Sequence, residues 1–196
     1  MPKSITHVLG VATMCLLLNG CAAVVVGGVA AGAATGAAVG SDPRSSGGVF
    51  DDQELKQHVA NSLDAAIPGH NVEVTSYNQK ILLTGQVISP ENKTKAEAIA
   101  RQVAGVKKVF NYIEVGPTET AAQVSRDAYL TSLIKSNMLF SKGISSNDVK
   151  VVTSHQVVYL MGLVDDYQAK KMIHAASEID GVRDVINLFD YTHSNN

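Results

Sequence analysis

Two stretches decide the fold of this chain: NVEVTSYNQKILLTGQV, Asn71 to Val87, and DVKVVTSHQVVYLMGLV, Asp148 to Val164. In the first, alternating residues from Val72 to Tyr77 and from Ile81 to Val87 form two strands joined by a short turn near Asn78-Gln79. The second stretch repeats that grammar. Each is followed by a matching block, GVKKVFNYIEV (Gly105 to Val115) and GVRDVINLFDY (Gly181 to Tyr191). Val72 pairs with Val149 and Gly85 with Gly162, while Gly105, Val106, Val109 and Asn111 pair with Gly181, Val182, Val185 and Asn187. Between these blocks the offset shifts by a single residue, so the chain carries an internal duplication.

Working outward from the first hairpin, Asp51 followed by Glu54 has the form of a capping interaction that opens a helix with Leu55, Val59 and Leu63 on one face. After the hairpin, Ser89-Pro90 supplies an N-cap with proline at the first helical position, and the helix is expected to run through Ala104. Gly105 suits its C-terminal cap, and Val106 to Val115 makes a third strand. The order is αββαβ, twice. The fold class is therefore α+β: tandem units, each a three-stranded mixed sheet with two helices on one face. The expected segments are 51–116 and 125–191 for the two domains, 117–124 for a linker and 192–196 for a tail.

That order, with glycines paired as Gly85/Gly105 and Gly162/Gly181, resembles the BON domain, over Asp51 to Val115 and Ser125 to Tyr191. The N-terminus adds to the resemblance. MPKSITHVLGVATMCLLLNGCAAVVV places Lys3 before an apolar run from Val8 to Leu18, the form of a secretory signal over residues 1–20 and too short for a spanning helix. Leu18-Asn19-Gly20-Cys21 looks like a bacterial lipoprotein processing box, with Asn19 an unusual choice in it. In such proteins the cysteine is acylated and becomes the first mature residue, so Cys21 is the expected lipidation site. Ala22 after it, rather than an aspartate, resembles an outer-membrane address. Cys15 would leave with the signal, which excludes a disulfide or thiolate metal site in the exported part. Together the processing box and the tandem domains resemble lipid-anchored BON proteins of the outer membrane facing the periplasm. That resemblance implies a non-enzymatic protein, phospholipid binding through the second domain, and a role in outer-membrane integrity near the division site.

Residues 21–50 join the anchor to the first domain. Gly28, Gly32, Gly36 and Gly40 recur at four-residue spacing, which suits either a glycine-ridged helix in lipid or a flexible tether. Asp42 to Gly48 follows as linker. The formal charge of the whole chain is −2, which excludes a general basic field for nucleic acid. Any contact with an anionic membrane must then be local and substantially apolar.

The duplication points to where such a contact lies. Leu55, Val59 and Leu63 correspond to Leu130, Ile134 and Met138, the core stripe of the second copy's first helix. Tyr129, Leu133, Leu139 and Phe140 then stand where the first copy has Glu54, His58, Asp64 and Ala65. Tyr129, Leu133 and Phe140 fall in a ~40° band well away from the core stripe, with Leu139 also pointing away from it. Lys135, with Lys142 nearby, could meet lipid phosphates. The candidate phospholipid-binding residues are therefore Tyr129, Leu133, Lys135, Leu139 and Phe140. Three readings suit them: a wider core or a seal against the sister domain, a groove for another protein, or contact with an anionic phospholipid surface. The BON resemblance implies the third, because lipid contact in that family maps to this helix.

A second apolar surface competes. Val157, Tyr159, Met161 and Leu163 alternate with Val158, Leu160 and Val164, so the second sheet has two apolar faces, and the face without helices is expected to pack on the first domain or on a partner. A scaffold that binds envelope proteins or peptidoglycan through its sheet faces is thus the alternative function. No catalytic pattern competes with either reading. The mature histidines at 58, 70, 155, 174 and 193 lack paired metal spacing, and there is neither a G-x-S-x-G elbow nor a P-loop. No metal, cofactor or catalytic residue is expected. Asp165-Asp166 and Asp51-Asp52 fit helix N-caps, and Asn111 and Asn187 fit structural hydrogen bonds in the third strands.

Overall fold

A computed structural model of the chain describes residues 46–140 and 149–192. The first copy is built from α1 (Ser46–Ala66), β1 (Asn71–Tyr77), β2 (Lys80–Val87), α2 (Pro90–Gln102), β3 (Lys108–Asn111) and β4 (Glu114–Val115). The second repeats the order with α3 (Ala121–Phe140), β5 (Val149–Ser154), β6 (Val157–Val164), α4 (Asp166–Ser177), β7 (Asp184–Asn187) and β8 (Asp190–Tyr191). In each, the central strand pairs antiparallel with the first strand and parallel with the third, giving the expected mixed sheet. The tight hairpin supplies the antiparallel pair and the helical crossover the parallel one.

Each core lies between the helices and one sheet face. Leu55, Val59 and Leu63 of α1 meet Val74, Ile81 and Leu83 in the first copy. Ile134 and Met138 of α3 meet Val151, Val158 and Leu160 in the second. The core stripe deduced from the repeat is fully buried in both.

Four local features differ from expectation or refine it. The first helix begins at Ser46, so Asp51 and Asp52 lie inside it and do not cap it. In the second copy α3 begins at Ala121, taking residues 121–124 out of the expected linker. Its cap is Thr120, whose hydroxyl accepts from Gln123 N at 3.3 Å while the Gln123 side chain accepts from Thr120 N at 2.8 Å. Asp165 does cap α4, and Gln168 answers it in a reciprocal capping box. Lastly, the third strand breaks into two short pieces, both parallel to the central strand. The break is held by Asn111, whose Oδ1 accepts from Ile113 N at 3.2 Å and whose amide donates to Lys93 O and Glu97 Oε2, both at 3.0 Å. Asn187 holds its own break in the same way, accepting from Phe189 N at 2.9 Å. Ile113 and Phe189 are thereby turned into the cores.

The two sheets meet through the faces that carry no helices. Tyr77 and Leu82 of the first copy form one buried cluster with Val157, Tyr159, Met161 and Leu188 of the second. The rings of Tyr112 and Tyr159 lie 4.8 Å apart in a tilted arrangement. Each large side chain removed from water in this way contributes roughly 1.5–3 kcal/mol. Polar clasps rim the cluster: Lys80 and Asn78 both donate to Asp190, and Tyr77 Oη accepts from Leu163 N at 3.2 Å. The apolar second face of the second sheet is therefore covered within the chain by its sister domain.

Candidate functional site

Helix α3 buries Leu130, Ile134 and Met138, so its outer surface is fixed by geometry. At ~100° per residue, Tyr129 and Leu139 each stand ~140° from the centre of that stripe, on opposite sides, with Ser132 and Ser136 between them. Tyr129 is 62% exposed and Leu139 64%. Leu133 lies nearer the core and is half-buried, while Lys135 is exposed beside Leu139. Phe140 ends the helix, and its side chain lies outside the described residues, as do Lys142, Cys21 and the glycine-spaced segment. The structure thus brings Tyr129, Lys135 and Leu139 to solvent and draws Leu133 partly inward.

The outer face is also poor in charge. Between Ala128 and Phe140 the one ionisable side chain with a permanent charge is Lys135, whereas the aligned span of α1, Gln53 to Ala65, carries Glu54, Lys56 and Asp64. The two aligned helices have thus diverged, the second presenting exposed apolar side chains where the first is polar. Among the described residues no helix is long and apolar enough to cross a membrane, so any lipid contact made by α3 is lateral.

Three groups of residues organise the structure without a local sequence pattern to announce them. Both hairpin turns hold two consecutive residues in the left-handed region, Asn78 and Gln79 at φ 52° and 62°, His155 and Gln156 at 52° and 64°. Such turns favour Asn-Gly, and here no glycine is present. Asp52 compensates in the first copy: its carboxylate accepts from Ser76 Oγ at 2.8 Å, Asn78 N at 2.6 Å and Gln79 N at 2.7 Å. Asp127 is its counterpart, three residues before Leu130 as Asp52 is before Leu55, and accepts from Gln156 N at 3.0 Å. That shared spacing was the signal available in the sequence.

His155 forms the second group. Its Nδ1 lies 3.2 Å from Glu119 Oε1 in the linker and its Nε2 3.5 Å from Glu114 Oε2 in the first domain, with Gln86 Nε2 at 3.1 Å. Arg183 approaches the other oxygen of Glu114 at 3.8 Å. One imidazole thereby ties the second domain's turn to the linker and to the first sheet.

Asp190 is the third. Burial opposes its ionisation, but hydrogen bonds from Lys80 and Asn78 and the field of Lys80 and Lys108 prevail and hold the carboxyl below its ordinary range. In the same interface, burial and then Glu114 push the Tyr159 phenol up to about 12, so it stays neutral at any physiological pH. None of these groups combines a nucleophile with a base. Among the described residues, no set of three or more His, Cys, Asp or Glu side chains is arranged to hold a metal ion.

Comparison with known proteins agrees with this architecture. The BON domain family matches residues 51–117 and again residues 126–192. Over 179 residues the chain is 38% identical to the outer membrane lipoprotein DolP of Haemophilus influenzae, covering 90% of this chain and 91% of that one. It is 33% identical over 153 residues to a 21 kDa hemolysin of Actinobacillus pleuropneumoniae, covering 76% of this chain and 79% of that protein. The osmotically-inducible protein Y of Escherichia coli is 29% identical over 154 residues, 76% of this chain and 77% of its own length. Likeness to an outer membrane lipoprotein across almost the whole chain supports a place in the cell envelope. With the αββαβ unit built twice and both copies falling within the matched segments, the chain belongs to the BON family and carries two copies of its domain.

Proposed function

We propose that the protein is a lipid-anchored lipoprotein of the outer membrane, facing the periplasm, whose second domain rests α3 on anionic phospholipid and so supports outer-membrane integrity, with the division site as one place of action. The observation that carries this reading is the outer face of α3, where Tyr129 and Leu139 stand exposed around two serines, with Lys135 beside Leu139 and Arg126 one turn before Tyr129. The relative named as an outer membrane lipoprotein supports the location and the anchor at Cys21.

Magnitudes assign the helix its task. Acyl chains on a cysteine contribute about 0.8 kcal/mol per buried CH₂, which holds the protein at the membrane without help. Tyr129 and Leu139 together, with part of Leu133, hide on the order of 200 Å², worth a few kcal/mol at ~25 cal/mol/Å² before ordering costs. Such a contact is too weak to anchor and strong enough to select lipid composition or curvature, given the high local concentration that tethering provides. The rival scaffold reading relied on open sheet faces. One face of each sheet is covered by helices and the other meets its sister sheet.

The test is co-sedimentation of the protein with phosphatidylglycerol vesicles against phosphatidylcholine vesicles. Wild type is expected to prefer the anionic vesicles, and Tyr129→Glu and Leu139→Glu to lose most of that binding while keeping their thermal stability, because both positions are exposed. Equal sedimentation of wild type and both variants would remove the helix from lipid recognition.

A further inference from the structure

A cleft of about 570 Å³ opens where the second domain's α3 and β5 meet the N-terminal end of β1 and the linker. Its charged side chains are Glu73, Glu119 and Asp127, and no Lys, Arg or His among the described residues lines it. Asp127 and Thr131 stand ~160° around α3 from Tyr129, and none of Tyr129, Leu133, Lys135 and Leu139 lines this cleft.

Comparison of the two copies shows what the cleft lacks. In the first copy both carboxylate oxygens of Asp52 are used, Oδ1 by Ser76 and Gln79 and Oδ2 by Asn78. In the second copy Asp127 is 6% exposed, its Oδ1 accepts from Gln156 N, and its Oδ2 has no partner. Thr153 occupies the register position of Ser76, but its hydroxyl makes no bond to Asp127 and instead accepts from Thr131 Oγ1 at 2.8 Å. One buried carboxylate oxygen of Asp127 is thus left without a donor, an unfavourable state for a charged group taken out of water.

The surroundings choose the donor. Glu73 and Glu119 add negative potential, which favours a cation over a neutral donor. A metal ion is disfavoured, since the described residues offer no suitable group of ligands. Val72, Val124 and Val151 supply apolar wall for a methylene stem. The cleft is also bordered by β1 and β5, each the edge strand of its sheet. We propose that this cleft binds a lysine or arginine side chain presented by a protein partner, with Asp127 receiving the cationic head and Glu119 and Glu73 flanking it.

The experiment is a titration of the isotope-labelled full chain in zwitterionic detergent, followed by amide chemical shifts. The probes are Gly-Lys-Gly, Gly-Arg-Gly, the isosteric uncharged Gly-norleucine-Gly, and putrescine. Saturable shifts at Thr131, Thr153 and Gln156 are expected with the lysine and arginine peptides and not with norleucine. Asp127→Asn keeps the oxygen that serves Gln156 and should weaken binding about tenfold or more, while Glu73→Gln, at an exposed position, should weaken it about threefold. Should Asp127→Asn lose its native spectrum, Glu73→Gln and a decline of binding with added salt decide the matter. The proposal is overturned by the absence of saturable shifts, by equal binding of norleucine, or by unchanged affinity in the variant used to decide. Saturation by putrescine alone would overturn it too, since that assigns the site to a free amine.

Discussion

Replacing Asp52 by alanine should damage the protein far more than replacing Asp127, although the two occupy the same place in the repeat. The Asp52 carboxylate accepts from Ser76 Oγ, Asn78 N and Gln79 N, and removing it strands the buried Ser76 hydroxyl and two partly buried backbone N–H groups. Hydrogen bonds to a charged group are worth ~1.5–3 kcal/mol each, and a stranded buried donor costs ~1–3 kcal/mol. Part of that returns when Asn78 and Gln79, released from φ values of 52° and 62°, relax toward ordinary backbone, since left-handed strain is roughly 1–2 kcal/mol per residue. The net loss is ~3–5 kcal/mol, comparable with the whole stability of a small domain at ~0.05–0.15 kcal/mol per residue. Asp127→Ala loses one hydrogen bond to Gln156 N but also removes an unpartnered buried oxygen, so its cost is ~0–1.5 kcal/mol. Urea unfolding followed by circular dichroism measures both, and hydrogen exchange assigns each loss to its hairpin. A Gln79→Gly change, which creates Asn-Gly at the turn, should recover ~1 kcal/mol in the Asp52→Ala background. Equal costs for the two aspartates, or a greater cost for Asp127→Ala, would refute the clamp as the reason these turns tolerate non-glycine residues.

Three other outcomes follow from the structure. Gly85→Ala should open the β1–β2 hairpin: the glycine has φ +92° and an added Cβ would fall 2.0 Å from Asn71 O, so a loss of ~3 kcal/mol or more is expected by urea unfolding. Leu82→Asp places a carboxylate in the fully buried inter-sheet cluster, and small-angle scattering should show the two domains separating while each keeps its circular dichroism signal. The contribution of Asp190 should be present above the ordinary carboxylate value of ~3.9 and fade as pH falls through its lowered folded value, because its folded form favours the charged state. Acid titration of an Asp190→Asn variant should lack that component.

Much of the fold was legible because duplication supplies an internal control. The matched glycines, the alternating strands and the core stripes Leu55/Leu130, Val59/Ile134 and Leu63/Met138 all appear where the repeat places them. The two apolar faces of β6 also announced the sheet-to-sheet contact, since a residue such as Met161 has no other reason to be apolar. What escaped was set by tertiary hydrogen bonding. Asp51-Asp52 looked like a cap because aspartate near a helix start usually is one, yet Asp52 lies a turn inside α1 and reaches a hairpin 24 residues away. His155 gave no sign at all, as its carboxylate partners Glu114 and Glu119 belong to the other half of the chain. On α3, wheel geometry identified the outward residues Tyr129 and Leu139 but could not see that Leu133 would be drawn partly under its neighbours.

The contact between the sheets bears on what happens when the polypeptide is severed. Pro117 and Thr118 are exposed in the short stretch joining the halves, where a protease could nick the chain. Because Leu82, Tyr159 and Met161 shield one another and the Lys80–Asp190 clasp spans the same junction, the fragments would remain a non-covalent pair. The same property makes this junction a natural place to split the chain and reassemble it from two separately produced pieces.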